Sequence, residues 1–129
     1  MTAGDLILRA LRLAGVLEAG ETPSGAEQAD SLDAFNEMMH QWDIDGIPLG
    51  WSDAAWADTL AVPDAYLRPM RLNLAVDLCA EFGVSASQEL IANAIDSKRD
   101  MIEDNVQVDE VTFDVTLTNR NRFNVVSDS

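Results

Sequence analysis

"SGAEQADSLDAFNEMMHQWDIDGI" occupies Ser24–Ile47, and the rest of the chain depends on whether it is a helix or a chemical site. Ser24 followed by Glu27 is a capping box, in which each residue satisfies an amide of the other at a helix start. Ala29, Leu32, Phe35, Met39 and Trp42 then recur at steps of three and four, which predicts one continuous apolar face. The Met38-Met39 pair is expected in the core. His40 falls one position past Met39, on the polar side with Asn36 and Asp43. Gly46 ends the helix and Ile47-Pro48 leads away from it. His40, Asp43 and Asp45 also look like ligands. Zinc or non-haem iron needs more protein ligands of the right type, and the chain has no second histidine. A helix end running into Asp-Gly turn chemistry accounts for the cluster better.

Working outward, Thr2 caps a first helix with Asp5 three residues on. Leu6, Ala10, Leu13 and Leu17, with Ile7 and Ala14 beside them, form its expected face, and Gly15-Val16 its stop. "PLGWSDAAWADTLAV" (48–62) reads as an ordered connection with one short strand in "TLAV". Trp51 and Trp56 lie there, either as contact aromatics or folded back over the core. A third helix begins at Pro63-Asp64, with Leu67, Met70, Leu74, Leu78 and Phe82 inward and Gly83 as terminator. Pro69 is expected to kink it or delay its start. Asn73 reads as a satisfied amide or a contact between chains, and Cys79 as a small buried side chain. A fourth helix runs from Ser85 or Ser87 to about Asn105, with Leu90/Ile91, Ala94/Ile95 and Met101/Ile102 inward.

Beyond Asn105 the period changes to two. Val111, Phe113, Val115 and Leu117 alternate with polar residues, and "RFNVV" follows "NRN". A three-residue loop at Asn119–Asn121 would pair Leu117 with Phe123 and Val115 with Val125, matching apolar faces. The expected fold class is mainly α. It comprises a small four-helix domain over 1–105 and a C-terminal β-hairpin or extended arm over 106–129.

With 129 residues and 47% hydrophobic content, the chain can build one modest core without disulfides or metal. No apolar run approaches membrane-spanning length, and the N-terminus lacks a signal pattern, so synthesis in the cytosol is expected. Eight Lys/Arg against 23 Asp/Glu give a net charge of −15. Between Leu13 and Leu67 there are eleven acids and no Lys or Arg. Such a chain repels DNA rather than gripping it. No nucleophile elbow, phosphate loop or dinucleotide fingerprint is present.

Two segments resemble a known family when taken in order. "GDLILRALRLAGVLEAGETPSGAEQADSLDAFNEMMHQWDIDGIPL" carries a G-D-L first helix, an acidic loop and a helix closing on "LxxFNEMMxxWxxDGI". "LAVPDAYLRPMRLNLAVDLCAEFG" carries proline, tyrosine, "NLA" and an "EFG" end. Together they resemble the head-to-tail adaptor family of tailed bacteriophages, also called packaged-DNA stabilisation protein or tail accessory factor.

The resemblance implies a structural neck protein with no catalysis and no cofactor. It would dock as a ring on the portal, usually with twelve copies, prolong the DNA channel and retain packaged DNA. It would also offer a platform for the next tail protein, and its C-terminal segment would reach toward the portal. On this reading Val111, Phe113, Val115, Leu117, Phe123, Val125 and Val126, with Trp51 and Trp56, are the candidate partner interface. Asp30, Asp33, Glu37, Asp43 and Asp45 are the candidates for the channel wall, where acids let DNA pass by repulsion. The rival readings are an acidic interaction module or nucleic-acid mimic, and a metal- or carboxylate-dependent hydrolase.

Overall fold

A computed structural model describes residues 1–105, which hold four helices: α1 (Ala3–Ala14), α2 (Gly25–Ile44), α3 (Asp64–Glu81) and α4 (Gln88–Asn105). The expected C-terminal hairpin lies outside the described residues.

The helix ends follow the local signals. Thr2 and Ser24 both close capping boxes, Asp5 N–H donating to Thr2 Oγ1 (3.1 Å) and Glu27 N–H to Ser24 Oγ (3.2 Å). Ser87, rather than Ser85, caps α4 through Leu90 N–H at 3.1 Å. Helices α1, α2 and α3 stop alike, at a left-handed glycine (Gly15, Gly46 and Gly83). In each case the following apolar residue returns its amide to a carbonyl in the last turn. Val16 donates to Leu11, Ile47 to Trp42 and Val84 to Cys79, at 2.8–3.1 Å. Pro69 does not delay α3. The helix runs unbroken from Asp64 with Pro69 buried inside it.

Helix α3 is the centre, and it touches all three other helices. Met70, Leu74 and Leu78 are fully buried, alongside Leu6, Ile7 and Leu11 of α1 and Phe35 and Met39 of α2. Both methionines of the Met38-Met39 pair are buried. Three expected faces need correction. In α1 the buried arc follows Ala3, Ile7, Ala10 and Ala14, so Leu11 replaces Leu13, which is 45% exposed on the flank shared with Arg9 and Arg12. In α2, Ala29 is exposed and Ser31 is buried, its hydroxyl donating to the Glu27 carbonyl of its own helix. In α4, Ala94, Ser97 and Met101 face inward, whereas Ile91, Ile95 and Ile102 form an exposed ridge. That helix packs chiefly on α3, with Lys98 reaching the Trp42 ring of α2, so only a narrow stripe is covered. Asn73 is a satisfied amide that ties the two together, donating to the Pro69 carbonyl (2.8 Å) and the Ala94 carbonyl (3.0 Å).

The 45–63 connection contains no strand among the described residues. "TLAV" contributes a single antiparallel bridge, Thr59 with Thr2. Its backbone has another task. The first amides of α1 have no partner within the helix, and here Ala3 N–H donates to Asp58 O and Gly4 N–H to Trp56 O, both at 2.8 Å. The Trp56 indole lies directly on Gly4. A Cβ at Gly4 would come within 2.6 Å of Cε2 and 2.7 Å of Cδ1. Gly4→Ala is therefore expected to lever Trp56 off α1 and cost ~1–3 kcal/mol. The checks are denaturant unfolding and a red shift in tryptophan emission.

Candidate functional site

Asn36 and Asp43 lie two helical turns apart and so share a face of α2. Both turn toward the connection that follows. Asn36 Oδ1 accepts from Ala54 N–H (2.9 Å) and the Trp51 indole N–H (3.0 Å), while its Nδ2 donates to the Ala54 carbonyl (3.0 Å). Asp43 Oδ1 accepts from the amides of Leu49 (3.1 Å) and Gly50 (3.0 Å), and Oδ2 from that of Trp51 (2.6 Å). The Trp51 ring meets Phe35 edge-on at 5.5 Å. One carboxylate and one amide thus fold the loop back onto the helix that precedes it. The amide of Trp51 first, then those of Gly50 and Leu49, hold the Asp43 carboxyl below its ordinary value, with His40 adding less.

The ligand-like residues disperse. His40 Nε2 sits 2.7 Å from Asp53 Oδ1 at an exposed position. Asp45 accepts from Gln41 Nε2 (2.9 Å) and from Lys98 Nζ (3.4 Å), and the Lys98 ammonium lies 5.1 Å from the Trp42 ring centroid. No three His, Cys, Asp or Glu side chains among the described residues are placed to share a metal ion. A cavity of about 240 Å³ opens within the connection, between Leu49 and Val62. Its acids are taken by neighbours, Asp53 by His40 and Asp58 by Ala55 N–H at 2.8 Å. Cys79 is buried with its thiol 3.5 Å from the Ala14 carbonyl, and burial pushes its pKa up, away from the reactive thiolate.

Of the channel candidates, Asp30, Asp33 and Glu37 fall on one exposed line of α2, at i, i+3 and i+7. Asp43 faces the loop, and Asp45 caps the helix end, so the five do not form one wall. Glu37 continues into a groove of about 460 Å³ between α2 and α3, with Asp77 and Glu81 on its far side and Met38 and Ala80 also lining it. Lost solvation raises the Asp77 carboxyl; the Lys98 charge opposes this and Glu37 reinforces it. Trp51 and Trp56 are half-buried against their own chain, and the remaining interface candidates lie outside the described residues.

A second charged feature was not anticipated. Arg9 and Arg12 of α1 flank a groove with Leu13 and Arg71 of α3. Arg68 is close enough for its charge, with that of Arg9, to act on Arg71. The signal was present in the sequence as two arginine pairs at i, i+3, one on each helix. Only the packing of α1 against α3 brings them together.

A central helix sheathed by three others, with Asn36 and Asp43 of α2 spent on holding a loop, defines a small helical building block. A family model described as P22 tail accessory factor matches residues 1–127, and the chain belongs to this family. The match extends past "EFG" through the C-terminal segment. No curated protein matches the chain. Membership places the protein among phage structural components, with a role in the tail and with other phage structural proteins as partners. No described helix is long and apolar enough to cross a membrane.

The residues that carry the resemblance are mainly structural. In G-D-L, Gly4 admits Trp56, Asp5 completes the cap and Leu6 enters the core. In "FNEMMHQWDIDGI", Asn36 and Asp43 hold the loop, while Phe35, Met38, Met39, Trp42 and Ile47 are buried.

Two outcomes follow for this corner. Asn36→Ala would leave the Ala54 amide and the Trp51 indole N–H without acceptors, at ~1–3 kcal/mol by denaturant titration. Asn36→Asp retains the acceptor and should cost less. The folded pKa of Asp43 lies below its ordinary 3.8. Its stabilisation is therefore complete above the unfolded-state value and disappears as pH falls through the folded one. Protection factors at Leu49, Gly50 and Trp51, taken relative to intrinsic exchange at each pH, should fall over that acid window. Asp43→Ala should show fast exchange at those amides already at neutral pH.

Proposed function

We propose that this protein is the head-to-tail adaptor of a tailed phage, acting by assembly rather than by chemistry. It forms a ring, of twelve copies in the family it resembles, under the portal. The ring extends the DNA channel, helps hold the packaged genome and receives the next tail protein. In the virion it occupies the neck, after synthesis in the host cytoplasm.

The observation that carries this reading is the family match over residues 1–127, which takes in both the helices and the C-terminal segment. Two physical features support it. Asp30 and Asp33 are exposed along the outer line of α2 with no ion pair among the described residues, suited to a wall that duplex DNA passes without sticking. The exposed ridge of Ile91, Ile95 and Ile102 runs along α4 toward residue 105. The apolar alternation of Val111, Phe113, Val115 and Leu117 begins six residues later. An apolar ridge leading into an apolar arm suits a contact side, and we assign residues 106–129 as the arm that engages the portal or a neighbouring copy, with 1–105 as the helical domain.

Removing residues 110–129 should abolish co-sedimentation with portal rings while helical circular dichroism and the unfolding midpoint stay near those of the full chain. In the intact chain, Phe113→Asp with Leu117→Asp should weaken portal binding at least ~10-fold, about 1.4 kcal/mol. Portal binding by both variants at the level of the unaltered chain would exclude the arm from docking.

A further inference from the structure

Six Lys or Arg residues fall within positions 1–105, and four of them, Arg9, Arg12, Arg68 and Arg71, gather where α1 meets α3. The other two are paired: Lys98 lies against Asp45, and Arg99 against Asp96 (3.0 Å) and Asp100 (4.0 Å). None of the four clustered arginines forms an ion pair among the described residues, in a chain of net charge −15. Arg71 is the most enclosed. Partial desolvation first, then the like charges of Arg9 and Arg68, push its pKa below the ordinary value. Asp5, one turn away, reaches Arg9 with its charge, but the described acids otherwise leave the four cations crowded together, a local repulsion that an acidic partner would relieve. The groove bordered by Arg9, Arg12 and Arg71, about 390 Å³, sets exposed Leu13 among these cations.

The α2–α3 groove is its counterpart. Glu37, Asp77 and Glu81 border an apolar floor that includes Met38 and Ala80, in a space of about 460 Å³. At 100° and 1.5 Å per residue, Arg68 and Arg71 lie roughly 130° around α3 from Asp77 and Glu81 and about 14 Å along it. The two grooves therefore open in different directions, and one molecule cannot close them on each other. The geometry points to a heterologous contact between copies of this chain, in which the arginine groove of one copy receives the Glu37–Asp77–Glu81 groove of the next. A contact of two unlike faces repeats head to tail and closes into a ring when its rotation allows. The inference rests on the ring reading above and supplies its contact faces. It takes Glu37 from the channel wall and leaves Asp30 and Asp33 there. Duplex DNA is a poorer occupant, because a phosphate approaching the arginines also meets the acidic remainder of the chain.

The test uses the full chain without portal. Ala80→Cys, exposed in the acidic groove, carries a nitroxide on an unlabelled copy, and broadening is read on the amides of a second, isotope-labelled copy. Broadening should fall on residues 9–13 and 68–71 at low salt and fade as salt screens the contact. Arg9→Glu with Arg12→Glu should reduce it at least ~10-fold, as should Glu37→Lys with Asp77→Lys. All four positions are exposed, and the amide spectrum reports whether each variant is folded. Mixing the two variants should restore association that neither shows alone, because each reversed face then meets its complement. Absence of broadening at the arginine groove in the unaltered chain would overturn the proposal, as would broadening indifferent to charge reversal. Arg9→Glu with Arg12→Glu that leaves the self-contact intact but abolishes binding to duplex DNA or to portal would assign the groove to that partner instead. Portal co-sedimentation is scored separately, so a failed self-contact leaves the adaptor reading standing, and a failed portal interaction leaves the self-contact standing.

Discussion

Helix α3 carries buried residues on almost every side, and a helix of that kind is stable in water only when it is sheathed. That demand organises the molecule. Helices α1, α2 and α4 each supply one apolar stripe against it, and none needs to be apolar elsewhere. The outer surfaces of α1, α2 and α4 are consequently free to carry other properties: arginines on α1, a line of acids on α2 and isoleucines on α4. The same arrangement explains Cys79, which is buried with its thiol against the end of α1.

The loop from 45 to 63 would be the weak point of such a bundle, since a long connection without secondary structure exposes unpaired backbone. It is held at both ends by polar groups. Asn36 and Asp43 take its first half onto α2, and the amides that open α1 take the carbonyls of Trp56 and Asp58. The loop thus satisfies the start of α1 while α2 satisfies the loop, which adds polar coupling to three parts of the chain that also pack on one core. Gly4 is the steric condition for this closure, because the indole of Trp56 occupies the space of its missing side chain.

Charge segregation is the second level of organisation. An acidic excess keeps a small protein soluble and clear of nucleic acid, yet the described cations are not scattered to balance it. Four of them meet at one helix junction, opposite in sign to the groove on the other side of α3. A tail accessory factor assembles with other phage structural proteins, and the self-contact proposed above would draw on these two unlike faces.

The sequence by itself determined what depends on neighbours within a few residues. Thr2 with Asp5, Ser24 with Glu27, and the Gly-Val or Gly-Ile stops at 15, 46 and 83 act through amides and carbonyls one turn away, so spacing alone revealed them. The centres of the apolar stripes, such as Phe35, Met39, Leu74 and Leu78, were legible for the same reason. Only the tertiary structure decided the edges of those stripes. Leu13, Ala29, Ile91, Ile95 and Ile102 carry the right chemistry and spacing, but how wide an arc is covered depends on how many helices lie against it. It also decided the fate of "HQWDID": His40, Asp43 and Asp45, close in sequence, point to different partners 4 to 53 residues away and so never converge. The arginine groove lies at the other extreme. Its two halves are about sixty residues apart in the chain, and electrostatic meaning arises only when packing puts like charges side by side.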